Sequence, residues 1–407
     1  MGGATYVASA LSAAHASGHG SPRCSEDSVI KNPIDPADRT RLIRRLSEAC
    51  GFDRCAVTHI EELPAGIRLR EWLHRGMHGS MEWMARTADQ RADPSLVVPG
   101  ARSVVIVAIN YHVDVSPTDN VNEACISRYA WGNEYHRVLG DKLESLHSEL
   151  CNWFPELSAR WYVDTGPVLE KAWAERAGLG WIGKHTNLIN RDLGSWIFLG
   201  ALILDIELES GRSHADYCGT CNSCIQACPT DAIVGPYVLD SRRCISYLTI
   251  ENRGPIPREF RRAIGNRVYG CDDCQDVCPW NRFAHEGPQV HEFVPRSRDA
   301  HSRLIEFLSM TDMEFRTYFR DSPILRAKRR GFVRNVAVAI GNSKEPRAVP
   351  ALVRQLADDD ELVRGHVAWA LGEFGGEDAT NALHKRLKIE TDEWVRDEIH
   401  AALAECN

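Results

Sequence analysis

Two short cysteine runs constrain this chain more than any other feature. CGTCNSCIQACP places Cys218, Cys221, Cys224 and Cys228 before Pro229. In that C-x2-C-x2-C-x3-C-P spacing, three thiolates bind one iron–sulfur cubane and the fourth crosses to its neighbour. The second run, CDDCQDVCPW, is one ligand short, with Cys271, Cys274 and Cys278 before Pro279. Two 4Fe–4S clusters require eight thiolates. Cys244, in DSRRCISYL, is the only other cysteine in this zone and closes the count. The crossing rule predicts one cluster on Cys218, Cys221, Cys224 and Cys278, and a second on Cys228, Cys244, Cys271 and Cys274. Structural zinc is the plainer alternative, but it uses four thiolates in two knuckles and does not accommodate two proline-terminated runs.

The other six of the 14 cysteines, Cys24, Cys50, Cys55, Cys125, Cys151 and Cys406, have no ligand spacing and read as packed or exposed thiols. In a chain of 407 residues without a secretory pattern, these thiol runs point to metal in a reducing compartment, so the expected location is cytoplasmic. No apolar run is long enough for a bilayer, and no membrane partner is expected. A net charge of −8 argues against unspecific wrapping of nucleic acid, while leaving room for a local basic surface.

The length suggests several domains. Residues 1–34, rich in Ala, Ser, Gly and His, are expected to be a disordered extension. Residues 35–210 mix helical and strand patterns. DRTRLIRRLSEACG has helical periodicity, and CAVTHI, RSVVIVAINYH, RWYVD and SWIFLGALILDIEL read as strands. DKLESLHSELCNWF and PVLEKAWAERAG read as helices, the latter with Pro167 in its first turn and Gly178 as its stop. An α/β (α+β) layer domain is implied, followed by a ferredoxin-like two-cluster domain over 211–290. From 291 to 407 the chain is helical and repeats itself: VAVAIG, VAWALG and a fainter IHAALA follow the pairs Val333-Arg334, Val363-Arg364 and Val395-Arg396. This resembles a short all-α HEAT-type array. Such an array serves either as a binding surface for something extended or as a structural cap.

A front domain of this size argues that the electrons are delivered somewhere. GLGWIGKH nearly matches a phosphate-binding loop, but His185 stands where a hydroxyl is needed and the run follows a helix, so a nucleotide triphosphatase is rejected. No dinucleotide fingerprint and no cobalt-ligating D-x-H-x-x-G occurs. On residue chemistry alone, the front domain's cofactor stays open.

YVDTGPVLEKAWAERAGLGWIGKHTNLI, CGTCNSCIQACPTDAI, RRCISYLTIE and YGCDDCQDVCPWN occur in this order, and together they resemble epoxyqueuosine reductase from about residue 36 to the C-terminus. The resemblance implies a cobalamin-dependent enzyme with two 4Fe–4S clusters. Such an enzyme reduces epoxyqueuosine to queuosine at the wobble position of tRNA, the last step of queuosine biosynthesis. It implies Asp164 as proton donor, with a raised pKa suited to an acid near neutrality. Without the resemblance, Asp164 reads as a turn or capping residue. The cobalamin contacts carried over are Arg91, Ser127, Asp164, Thr186, Asn187, Leu188, Leu199, Ser246, Cys271 and Asp272. The family can carry cysteine at Ser127, which points to a backbone contact there. No protein histidine is implied as cobalt ligand. Each contact, taken singly, reads equally as surface or packing.

For tRNA, RAKRRGFVR gathers Arg326, Lys328, Arg329, Arg330 and Arg334 without an acid, and PREFRRAIGNR adds Arg258, Arg261, Arg262 and Arg267. Charge runs are usually solvated faces, but beside a helical array in such a family they suggest phosphate contacts. A flipped wobble base entering the corrin cleft is the recognition expected of a single-stranded loop. The remaining expectations are a low-potential electron donor such as ferredoxin or flavodoxin, and a monomer. A reductive-dehalogenase-like corrinoid reductase is the alternative, although Arg44-Arg45 lacks the apolar segment of a twin-arginine signal. A pure electron carrier would leave Asp164 unexplained, and a pure tRNA scaffold would need no thiolates.

Overall fold

A computed structural model of the chain describes residues 35–115, 118–284, 290–296 and 303–406. The expected extension over 1–34 lies outside the described residues. Helix α1 (Pro36–Ala49) opens on Asp35, whose carboxylate accepts from Asp38 N. Four strands then build a sheet: β1 (Arg54–His59), β2 (Ser103–Asn110), β3 (Ala159–Tyr162) and β4 (Ile197–Leu204), in the order β1-β2-β4-β3. Every pairing is antiparallel, with Ser103 opposite Leu204 and Ala159 opposite the same Leu204. The layered reading therefore takes its α+β form.

The central strand β2 is buried along its whole length, because both faces of the sheet are covered. Alternate side chains point to opposite faces. Val105, Val107 and Ile109 join Leu139, Leu143, Leu146 and Leu150 of helix α2 (Tyr135–Trp153). Val104, Ile106 and Ala108 join Ala172, Trp173 and Ala174 of helix α3 (Glu170–Arg176). Helix α3 starts later than the sequence suggests: Pro167 lies outside it, because the chain first turns at Asp164. Its stop is as expected, with Gly178 at φ 81°, a left-handed conformation that favours glycine.

The cluster domain contains two short helices, Ser223–Ala227 and Asp273–Asp276, and a small hairpin of Ile233–Gly235 with Val238–Leu239. Its strand Arg267–Tyr269 pairs in parallel with Cys125–Ile126 and so joins the front domain. Beyond it, α4 (Lys328–Ser343), α5 (Glu361–Phe374) and α6 (Glu393–Glu405) share one core, and shorter helices over Val349–Gln355 and Gly376–Leu387 pack beside them.

In each repeated Val-Arg pair the valine fills the core and the arginine holds backbone carbonyls. Val333, Val363 and Val395 are wholly buried in that core. Arg364 donates to the carbonyls of Asp358 and Asp359 and grips Glu390, and Arg396 donates to the carbonyls of Leu387 and Glu390. Arg334, in the first repeat, instead donates to Leu248, Asn252 and Gly254 of the cluster domain. The cluster domain thus supplies to Arg334 the carbonyl contacts that the preceding turn supplies to Arg364 and Arg396.

Candidate active site

A cleft of about 1100 Å³ opens where the three domains meet. The front domain supplies Trp83, Tyr135, Asp164 and Lys171 to its wall, the cluster domain Cys244, Ser246 and Tyr247, and the segment before α4 Pro323 and Arg326. Pockets for drug-sized ligands run to about 1,000 Å³, so this cleft has room for a large one.

Asp164 sits in a tight turn in which Thr165 N donates back to Val163 O, and its own φ is 57°. Aspartate tolerates this left-handed region better than most residues. The turn aims the carboxylate into the cleft, where its side chain is 68 % exposed by area although the walls crowd it at longer range. Tyr135 Oη donates to Asp164 Oδ2 at 2.8 Å, and His136 Nε2 stands 3.6 Å from the same oxygen. The other imidazole nitrogen lies 2.6 Å from Glu134 Oε1. His136 is the one imidazole among the described residues lining the cleft, and both its nitrogens face carboxylates.

The expected raised pKa of Asp164 is not what the structure holds. Burial works to raise this carboxyl, but His136 and Tyr135 outweigh it and hold it at about 2. Burial works to lower His136, yet Asp164 and Glu134 push it up to about 9. The proton at this site therefore rests on the imidazole. Next door, burial foremost and then the Asp164 charge push Glu170 up to about 8. Glu170 Oε1 is buried without a partner among the described residues, so a neutral acid there awaits an acceptor. Glu134, Tyr135, His136, Glu170 and Lys171 carry no spacing signal, and their roles appear only once the turn at Asp164 is folded.

Of the residues the sequence associates with a corrin, Asp164 and Ser246 line the cleft. Lys171 Nζ, also in the wall, donates to Thr186 O and Asn187 Oδ1 and so ties the Thr186–Leu188 loop to it. Leu188 is buried and Leu199 half-buried on β4. Arg91 is buried, with its guanidinium over the Trp83 ring and donating to Val168 O. Ser127 and Asp272 bond to each other instead, and Asp272 also accepts from Arg128 N at 2.8 Å. Together with Cys271, they belong to the joint between front and cluster domains.

The thiols assemble in two groups. Cys218, Cys221, Cys224 and Cys278 line a cavity of about 250 Å³ with His185 and Trp280. Burial pushes the Cys274 thiol up, and its neighbours Cys244 and Cys228 add to the effect; Cys271 also senses Cys244. Among the described residues, no three His, Cys, Asp or Glu side chains converge on a single ion. A cubane does not require that, because each of its four irons takes one thiolate.

The basic run is corrected in part. Arg334 is fully buried with its donors on carbonyls, so it cannot reach a phosphate. Arg326 pairs with Glu251, Arg329 with Asp358, and Arg330 with Asp360 and Glu361. Lys328 alone of the five is exposed and makes no ion pair among the described residues. Arg261 is buried against Glu398, and Arg258, Arg262 and Arg267 are paired as well. A groove of about 920 Å³ beside this run is lined by both its bases and the acids Asp358–Glu361, and its charges largely cancel.

Comparison with known proteins places these features in one family. Residues 91–165 match the family described as epoxyqueuosine reductase QueG, DUF1730. Residues 217–281 match a 4Fe–4S double cluster binding domain, and 324–404 match HEAT repeats. The epoxyqueuosine reductase of Xanthomonas campestris is 42% identical over 353 residues, covering 85% of this chain and 99% of the relative. That of Escherichia coli K12 is 37% identical over 348 residues, covering 84% and 92%. A crystal structure of an epoxyqueuosine reductase with an epoxyqueuosine-modified tRNA-Tyr stem loop superposes with a TM-score of 0.83 at 30% identity, over 90% of this chain and 98% of that one. The Bacillus subtilis enzyme, seen with its catalytic aspartate loop swung out of the active site, gives 0.82 at 30%, with the same coverage. No helix among the described residues is long and apolar enough to cross a membrane. With relatives matching across nearly their full length, and a double-cluster domain set between a reductase domain and HEAT repeats, the chain belongs to the epoxyqueuosine reductase family of oxidoreductases.

Proposed function

We propose that the chain reduces epoxyqueuosine to queuosine in the anticodon loop of tRNA, with cobalamin in the three-domain cleft, two 4Fe–4S clusters behind it, and Asp164 as proton donor. The observation that carries this reading is the convergence in one cleft of Asp164 and Cys244, a thiol of the second cluster group. The residues present suit a corrin: the cleft is large, Glu170 offers a neutral buried acid to an amide-bearing ring edge, and no imidazole is spare to ligate cobalt. Arg91, Thr186, Asn187, Leu188, Leu199 and Ser246 are assigned to hold it, with Ser127, Cys271 and Asp272 keeping the cluster domain against it. When bound, cobalamin supplies the low-potential nucleophilic reduction that side chains cannot.

The net reaction consumes two electrons and two protons, breaks the epoxide C–O bonds, restores the C=C bond and releases water. This chain's own part is to place the sugar-like ring, exclude solvent and deliver protons to the leaving oxygen. Tyr135 holds the Asp164 carboxylate still, and His136, backed by Glu134, stores the proton that Asp164 passes on. Electrons enter singly from a low-potential donor protein and reach the cleft through Cys244. Support for the substrate comes from the relative seen with an epoxyqueuosine-modified stem loop. Support for the donor comes from the catalytic aspartate loop of the Bacillus subtilis enzyme and from the strained turn at Asp164.

The test is anaerobic conversion of epoxyqueuosine tRNA by reconstituted protein with and without cobalamin, read by nucleoside mass spectrometry. Cobalamin-dependent loss of one oxygen, abolished in Asp164→Asn, is expected. Conversion that ignores either change overturns the proposal. Turnover of halogenated organics in place of tRNA would favour the dehalogenase-like alternative.

A further inference from the structure

The GKH segment that fails as a phosphate loop has another use. Trp181–Ile182 and Leu188–Ile189 pair as a hairpin, and its turn is pinned by Gly183 N to Asn187 O and Thr186 N to Gly183 O. That turn presents His185 to the cavity lined by Cys218, Cys221, Cys224 and Cys278. The ring is 3 % exposed. Asn187 N donates to His185 Nδ1 at 3.1 Å. An Nδ1 that accepts carries no proton, so the hydrogen of the neutral ring is on Nε2. Yet Nε2 is buried and has no acceptor among the described residues.

A buried donor without an acceptor is costly, and native structures rarely leave one. The cavity beside it is walled by four thiols and is where sulfur would be found. Gly183 makes the placement possible: a Cβ there would stand 3.3 Å from His185 Nε2 and 2.6 Å from Ile189 Cδ1. A second buried N–H, Trp181 Nε1, lies within reach of the Cys218 thiol.

We propose that His185 donates an Nε2–H hydrogen bond to a sulfur of the cluster held by Cys218, Cys221, Cys224 and Cys278, and thereby raises that cluster's reduction potential. The inference rests on the assignment of a 4Fe–4S cluster to those four thiols. The reduced cluster carries one more electron, spread over its sulfurs. A donor to sulfur therefore stabilises the reduced form more than the oxidised one, and hydrogen bonds to sulfur are an established lever on such potentials. His185 is a positioning residue: it lines the thiol cavity and not the cleft that holds Asp164 and His136.

The test is an electron-paramagnetic-resonance redox titration of anaerobically reconstituted wild type, His185→Leu and His185→Gln, with iron and sulfide counted in each. In His185→Leu one of the two midpoints should fall by at least the tenfold equivalent, about 59 mV for a one-electron couple, while the other stays. Glutamine, which keeps a donor, should recover most of the shift. Unchanged midpoints in a fully loaded His185→Leu overturn the hydrogen bond. If that variant loses iron, wild type grown with 15N-histidine decides: a nitrogen hyperfine coupling on one reduced cluster is expected, and its absence overturns the proposal. Only half the two-cubane iron in wild type would instead refute the four-thiolate assignment itself.

Discussion

If Asp164 is the donor and His136 its proton store, as proposed, replacing His136 with glutamine should move the resting proton from the imidazole to the carboxyl. In the structure Asp164 is held at about 2, with burial opposed by His136 and Tyr135, while His136 is pushed up to about 9. Across neutral pH the pair therefore carries one proton, on the imidazole. The required form is the protonated pair, so wild-type turnover should be flat through neutrality and fall as pH rises through about 9. An opposite charge nearby lowers a carboxyl by roughly 1–3 units. Glutamine at 136 removes that charge, and Asp164 should rise by about this much, to somewhere between roughly 3 and 5. At pH 7 its protonated fraction is then between roughly one in a hundred and one in ten thousand, a loss matching the usual worth of a general acid, about 100- to 10,000-fold. His136→Gln should therefore be slow at neutrality and gain about tenfold per pH unit on acidification. The assay is single-turnover conversion of epoxyqueuosine tRNA by prereduced, cobalamin-loaded protein between pH 6 and 9.5. A His136→Gln enzyme that keeps the wild-type rate and a flat profile would refute the relay.

Glu170→Gln should flatten the stability profile of the cofactor-free protein. The folded acid is raised to about 8 from an ordinary 4.5. Between those values the native state holds a proton the unfolded chain has lost, so stability falls as pH rises. Thermal melts of wild type should drop across that window, and those of the variant should not. Glu398→Ala strands Arg261, which it grips through two bonds of 2.8 Å with both side chains nearly buried. Breaking a buried pair costs about 3–5 kcal/mol, read as a fall in melting temperature and faster proteolysis between the cluster domain and the repeats. Lys328→Ala should leave the melt unchanged and lower the slope of log affinity for tRNA against log salt by about one contact. Arg334→Met should destabilise the protein instead, by leaving the carbonyls of Leu248, Asn252 and Gly254 unpaired.

What the sequence makes legible follows the range of the interactions. The strands and long helices were readable because their periodicity is local: Val104 to Ile109 alternate between two covered faces, and α4 to α6 repeat one buried pattern. The cysteine grouping was readable because ligand spacing is fixed by the cluster, and the cavity around Cys278 gathers the same four thiols that the crossing rule selects. The start of α3 is not legible, because Pro167 is a good first-turn residue and nothing local announces the left-handed turn at Asp164. The basic run misled for a different reason. Charge counted along the chain is blind to partners far away in it, such as Glu251 for Arg326, or the carbonyl cage around Arg334. For the same reason the Glu134–His136–Asp164 arrangement left no motif, although its letters stand in plain view.

The two thiol groups also differ in what faces them, and on the proposed ligand assignment that difference orders the electrons. Cys244 forms part of the cleft that holds Asp164, whereas Cys218, Cys221 and Cys278 line a separate cavity whose wall includes Tyr217 and Arg282. Tyr217 is 47 % exposed, and Phe283 beside Arg282 is 39 % exposed. The exposed Tyr217 and Phe283 rings give an incoming donor protein an apolar surface to meet beside the cavity of Cys218, Cys221 and Cys278. On the proposed assignment the group beside Tyr217 is the expected point of electron entry, and the group that includes Cys244 is the expected point of exit to the cleft. Cys224 and Cys228 are four residues apart in sequence yet are assigned to different clusters, and Cys274 and Cys278 repeat the arrangement. If His185 raises only the first potential, it eases reduction by the donor at the expense of onward transfer. The second cluster needs donors of its own to keep that transfer favourable, and Cys228 Sγ accepts from Ala232 N at 3.2 Å. His185 and Ala232 lie on different segments, and neither lines the cleft that holds His136, so on the proposed assignment electron supply and proton supply to the cleft should be open to perturbation one at a time.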